Sequence, residues 1–265
     1  MPQFTYDSCT IYYEDIGKGI PLVLIHPPGM GRLVFTFQHT LSSQYRLLIP
    51  DLSGHGDSSI AKEPVTMERY AAEIKALLDH TGTRLAVICG YSAGGGIAQE
   101  FALSYPERTR ALVLSGGYPI VETTLLKMEY RIGMKWLTTS PDSLIRLLAR
   151  SHFLDTNIQQ MISGQMTKAD LKSWYDFYEE SFHYDCSGRL GEIDCPILLM
   201  YGSRVKWIRQ HSHYYRQCKD VLLVHIEKAT HQLPTKHWHT FNHHLHSFIQ
   251  DTLAKNPYHQ AGNTF

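Results

Sequence analysis

Gly90-Tyr91-Ser92-Ala93-Gly94 sets a serine two positions from a glycine on either side. A serine hydroxyl attacks a carbonyl when a base takes its proton and hydrogen-bond donors receive the charge that builds on the carbonyl oxygen. A sharp strand-to-helix turn supplies part of this. It strains the backbone at the serine, leaves no room for Cβ atoms two residues away, and aims the free amides and positive end of the next helix at the hydroxyl. Alone, such a pentapeptide arises by chance in a chain this long on the order of one time in ten. Here it follows LAVIC, an apolar strand-like run, and precedes AGGGIAQEFALSYPERTR, a small-residue helix that stops near Pro106. Ser92 is therefore the candidate nucleophile, with the Ala93 N–H placed to bind an oxyanion.

Continuous apolar runs must position that turn: PLVLIH (21–26), YRLLIPD (45–51), RLAVICGYS (84–92), RALVLSGG (110–117), CPILLMYG (195–202) and DVLLVHIE (220–227). Runs of this kind suit strands buried on both faces, and the segments between them are long enough for helical crossovers. FTYDSCTIYYEDIG (4–17) alternates and predicts an antiparallel hairpin at one edge. One connection is too long for a crossover. More than seventy residues separate Gly117 from Asp194 and include the helical patterns SLIRLLARSHF and DLKSWYDFYEESF. In the second, Leu171, Trp174, Tyr175, Tyr178 and Phe182 recur at intervals of three or four, which predicts a bulky helix face that packs on neighbours, lines an apolar pocket, or does both.

In order along the chain, these segments resemble the α/β-hydrolase family. HPPGMG (26–31) is similar to the loop after the third strand that supplies a second oxyanion donor. DLSGHGDSS (51–59) is similar to the D-x-x-G-x-G-x-S turn, in which Ser58 or Ser59 has a structural role. IEKATHQLP (226–234) is similar to the last-strand loop that carries the catalytic histidine, which assigns that role to His231. The resemblance implies an α/β fold with a doubly wound, mostly parallel sheet and a helical lid inserted after the sixth strand. The core would comprise 1–118 and 191–265, and the lid 119–190.

Two positions depart from the family pattern. The acid of the triad commonly stands three residues past a glycine after the seventh strand, and counting from Gly202 gives Val205. After the sixth strand, Ser115, Gly116 and Gly117 offer no carboxylate, which leaves Glu122 as a distant candidate. In the HPPG loop the usual donor position falls on Pro28, which has no N–H, so either the donor shifts to Gly29 or Met30 or the oxyanion hole is half formed. Removing the acid from a triad costs on the order of ten-thousandfold in turnover, so hydrolysis is expected to survive but slowly.

Composition narrows the rest. Among 265 residues, 43% are hydrophobic, and Lys plus Arg balance Asp plus Glu at 25 each. Nothing in that balance favours a nucleic acid or an anionic membrane, and a small acyl compound is the expected partner. MPQFTYDSCT has no signal-peptide pattern, and no run of about 18 apolar residues follows, so a soluble cytoplasmic protein is expected. The cysteines, at 9, 89, 186, 195 and 218, lack zinc-site spacing and read as reduced thiols. His239 and His243 stand four apart without a third ligand, so no metal is expected. His26 is expected to hold its loop through a backbone hydrogen bond. Arg204, Lys206 and Arg209 read as solvated surface, with preference for an anionic substrate as the alternative. The expected function is a cofactor-free serine hydrolase of a small carboxylic ester. The alternative is a degenerate binding protein on the same scaffold, and lyase or peroxidase-like chemistry rests on fold analogy alone.

Overall fold

Every residue of AVICGY (86–91) and of ILLMYG (197–202) is buried, as the unbroken apolar runs require. In the computed structural model, which describes residues 1–255, these runs form two of eight strands. The strands are β1 (Gln3–Tyr6), β2 (Cys9–Ile16), β3 (Ile20–Ile25), β4 (Tyr45–Pro50), β5 (Ala86–Tyr91), β6 (Thr109–Ser115), β7 (Ile197–Gly202) and β8 (Val221–Ile226). Their spatial order is β1-β2-β4-β3-β5-β6-β7-β8. Pairing is antiparallel from β1 to β2 and from β2 to β4, and parallel everywhere else. Asp7 and Ser8, both at positive φ, make the two-residue turn of the edge hairpin.

Alternate residues of the central strands feed two apolar layers. Val23, Ile88 and Leu112 face α1 (Met67–His80) and α2 (Gly94–Ser104), through Ile74, Ile97 and Phe101. Leu24, Val87 and Val113 face the opposite layer, with Phe241, Leu245 and Ile249 of the last helix. The final ten positions of the expected 191–265 core segment lie outside the described residues.

Between β6 and β7 the chain makes four helices: α3 (Thr124–Thr139), α4 (Pro141–His152), α5 (Thr156–Met166) and α6 (Leu171–His183). Side-chain caps fix three of their starts. Thr123 accepts from the Leu126 N–H, Asp155 from Asn157 and Ile158, and Asp170 from Ser173; Pro141 opens α4. The ends of the insertion meet, because Ile120 bridges Asp185 and the Cys186 N–H donates to Pro119 O at 3.0 Å. On α6 the expected face packs inward except at Leu171: Tyr175, Tyr178 and Phe182 are half-buried against the core, and Tyr178 also lines a cavity. Ser173, Trp174, Phe177 and Ser181 are buried, while Leu171, the first residue of the helix, is exposed. Two short helices, α7 (Lys206–Arg209) and α8 (Leu233–Lys236), follow β7 and β8, and α9 (Trp238–Lys255) closes the described fold.

Candidate active site

Ser92 follows β5 with φ of 54°, a left-handed conformation rare for a residue with a side chain. Its N–H donates to Ser115 O on β6, and its carbonyl accepts from the Gly95 N–H, each at 2.9 Å. A Cβ on Gly90 would stand 2.5 Å from Gly94 O, and one on Gly94 would stand 2.5 Å from Ile25 O. The two glycines are therefore needed for the turn to close against β3. Ala93 opens α2, and its N–H meets no backbone carbonyl among the described residues.

His231 lies in the loop after β8, and its Nε2 stands 2.8 Å from Ser92 Oγ. Two observations bring the loops after β7 and β8 together. The Arg204 N–H donates to Ala229 O at 3.0 Å, and the Lys228 N–H donates to Ser203 Oγ at 2.9 Å. Val205 therefore stands beside the histidine loop, buried at the start of α7 and lining the same cavity as His231. The other ring nitrogen, Nδ1, is buried without a hydrogen-bond partner among the described residues. Burial, and then the nearby His152, lower the His231 pKa to about 4. No carboxylate among the described residues offsets this. Glu122 does not take the part: it is exposed, and it accepts from the Tyr214 hydroxyl at 2.7 Å. Its place between β6 and α3 directs it to the surface.

The HPPG loop is fixed from behind. His26 Nε2 accepts from the Leu52 N–H at 3.0 Å, so its Nδ1 carries the proton and donates to Pro27 O at 2.9 Å. The Met30 N–H is committed to Pro27 O, whereas the Gly29 N–H meets no backbone carbonyl among the described residues. Gly29 itself is buried with φ of 77°, against the Trp174 ring. The neighbouring acidic turn is structural. Asp51 accepts from the Arg32 N–H, the Asp57 N–H and the Gln165 side chain, while Ser58 Oγ donates to Asp51 O at 2.7 Å. The Tyr12 and Thr10 amides donate to Ser58 and Ser59.

Ser92 and His231 open into a cavity of about 530 Å³, roofed by α3, α4 and α6 through residues such as Trp136, Leu148 and Tyr178. None of Arg204, Lys206 and Arg209 lines it. Two flanking residues give no signal in sequence. His152 on α4 is hydrogen-bonded to the Tyr91 hydroxyl at 2.9 Å and to Leu148 O at 2.8 Å, and burial lowers its pKa to about 4. Tyr118 shares a 2.5 Å hydrogen bond with Tyr130. Burial raises the Tyr118 pKa, and hydrogen bonding to Tyr130 and Ser92 opposes that rise. Their roles depend on how the inserted helices fold back over the sheet, which no local spacing encodes.

A family model described as the alpha/beta hydrolase fold matches residues 20–234, a stretch that runs from β3 through the Ser92 turn to the His231 loop. The chain belongs to the α/β-hydrolase fold family. Within it, the chain is 35% identical over 114 residues to the pimeloyl-[acyl-carrier protein] methyl ester esterase of Shewanella woodyi, which is 42% of this chain and 41% of that protein. It is 26% identical over 215 residues to the 2-hydroxy-6-oxo-6-phenylhexa-2,4-dienoate hydrolase of Comamonas testosteroni, covering 72% and 73% of the two chains. The chain spans about half the length, or less, of the first curated relatives it matches. Among solved structures, the esterase from Exiguobacterium antarcticum superposes with a TM-score of 0.83 over 92% of this α/β-hydrolase and 97% of that chain. At 20% identity, that likeness establishes fold alone. Among the described residues, no helix is long and apolar enough to cross a membrane.

Proposed function

We propose that this α/β-hydrolase is a slow serine hydrolase of small carboxylic esters, working through an acyl-enzyme on Ser92. The observation that carries the reading is the 2.8 Å approach of His231 Nε2 to a hydroxyl held at positive φ. His231 takes the Ser92 proton as Oγ bonds to the ester carbonyl, and the carbonyl electrons move onto oxygen. The Ala93 amide, with the Gly29 amide in place of the one Pro28 lacks, receives that charge. Collapse of the intermediate breaks the bond to the alcohol, which leaves with the proton from Nε2. Water then attacks the acyl-enzyme with His231 as base. The helices of the 119–190 insertion act as the lid over the acyl group. The chemistry uses no cofactor.

The rate follows from Nδ1. To act as base at Nε2, the neutral ring must carry its proton on Nδ1, where no acceptor stands. A buried unpaired donor costs about 1–3 kcal/mol, so the ring favours the opposite tautomer, with Nε2–H donating to Ser92. The imidazolium formed in the transition state also lacks a carboxylate. This same observation favours a second reading, a binding protein that keeps the pocket and has lost the reaction.

A fluorophosphonate separates the two. Hydrolysis predicts an adduct on Ser92, located by mass spectrometry and lost in Ser92→Ala, together with a burst of alcohol from a short chromogenic ester. A folded protein with no adduct and no burst is the binding protein.

A further inference from the structure

Among the described residues, the lining of the cavity before Ser92 includes one carboxylate and no lysine or arginine. That carboxylate is Glu129 on α3. Leu126, Glu129, Tyr130, Gly133 and Trp136 all line the cavity at helical spacing, with Leu126 and Tyr130 buried and Glu129 at the solvent-exposed side of that face. It is held there. Glu129 Oε1 accepts from Trp207 Nε1 at 2.9 Å, and the Trp207 carbonyl accepts from the Thr123 hydroxyl at 3.1 Å, which ties α7 to the start of α3. No other hydrogen bond engages Oε2 among the described residues. Burial raises the Glu129 carboxyl above its usual value, and the Trp207 hydrogen bond opposes that rise. The two histidines that line the cavity, His152 and His231, are both held neutral near pH 7 by burial. The one negative group of the lining therefore stands at the exposed side of the cavity, bonded to the Trp207 ring, in a wall that also includes the rings of Trp136, Tyr130 and Tyr178.

Resting on the hydrolase reading of the same cavity, we infer that Glu129 with its aromatic neighbours forms a subsite for a cationic amine. The substrate class is then an ester whose lid-facing part carries a protonated or quaternary ammonium. An ammonium gains from the carboxylate and from the ring faces at once. A carboxylate in the same place meets a like charge with no cation to offset it, which separates this site from one built for an acid. Glu129 is exposed enough for solvent to screen part of the attraction, so the discrimination is moderate in size.

The test is a binding titration that needs no turnover. Trp136 and Trp207 both line the cavity, and their fluorescence reports the binding of 4-phenylbutyl-trimethylammonium, 4-phenylbutanol and 4-phenylbutyrate to the intact protein. The ammonium compound is expected to bind about tenfold more tightly than the carboxylate. In Glu129→Gln, which keeps an acceptor for Trp207, that ratio is expected to fall to about two. A ratio near one in the wild-type protein, or a ratio unchanged in Glu129→Gln, overturns the subsite. Because these ligands have no ester, an inert Ser92 leaves the result interpretable. A cation preference without esterase activity would sink the hydrolase reading alone.

Discussion

Gly116 lies against the imidazole of His231: a Cβ built on it would stand 2.7 Å from Nδ1 and 2.6 Å from Cε1. The residue sits after β6 at φ of 63°, and its backbone packs beside the edge of the ring that carries Nδ1 and Cε1. Gly116→Ala is expected to push the ring off Ser92 and lower kcat/KM on the order of a hundredfold, the cost of about 1 Å of misplacement. Gly117→Ala is the control, since its Cβ would meet the Leu114 side chain and not the ring. Ester hydrolysis by the two folded variants, measured side by side, checks this.

Gly29 is expected to matter for stability. An added Cβ would collide with the buried Trp174 ring, at a φ that side chains rarely adopt. Gly29→Ala should lower the unfolding free energy by about 2–3 kcal/mol, read from the urea midpoint.

Stability should also depend on pH. His26, His152 and His231 are lowered by burial to about 4, and His55 to about 3. Once unfolded, each takes up a proton below about pH 6.5. The unfolded state thus binds more protons across the window from about 6.5 to 4, so stability rises with pH there and is lost as the solution is acidified. Glu73, raised to about 7 by burial, works the other way: it keeps its proton in the fold and gives up stability as pH rises towards 7. Asp51, Glu129 and Glu180 are raised by burial as well, but His211, His225, His237 and His244 are lowered by it, so the histidines prevail and the melting temperature should fall as pH drops from 6.5 to 4. A melting temperature that rises over that range would contradict the burial of these rings.

Most of this architecture is legible in the sequence because its signals are local. Unbroken apolar runs give the central strands, the alternation in 4–17 gives the hairpin, and Gly90 and Gly94 flank a serine whose strain follows from their spacing. Ser92 and His231 meet as the order of their motifs implies. Glu129, His152 and Tyr118 stay hidden because they reach the cavity through the packing of α3 and α4 over the sheet, where helical periodicity gives a face but not its partner. Glu122 misleads for the same reason. Its position after β6 is readable, whereas its turn towards Tyr214 depends on an element almost a hundred residues away.

The pH dependence of turnover carries the same information as the missing acid. With a base lowered to about 4, kcat/KM should stay level from neutral pH down to about pH 5 and fall near 4. A carboxylate beside the ring would stabilise the imidazolium and move that limb upward. Val205→Asp should therefore show an acid limb at least one unit higher.

The rate of Ser92 phosphonylation, compared between the wild-type protein and Val205→Asp, reads the effect of the unpartnered Nδ1 without requiring turnover. Aspartate suits the start of α7, where Val205 caps without a side-chain hydrogen bond, so the variant is expected to fold. Labelling of Ser92 is expected to be slow in the wild type and on the order of a hundredfold faster in the variant. A folded variant that labels no faster than wild type would contradict the claim that an unpartnered His231 Nδ1 limits this site.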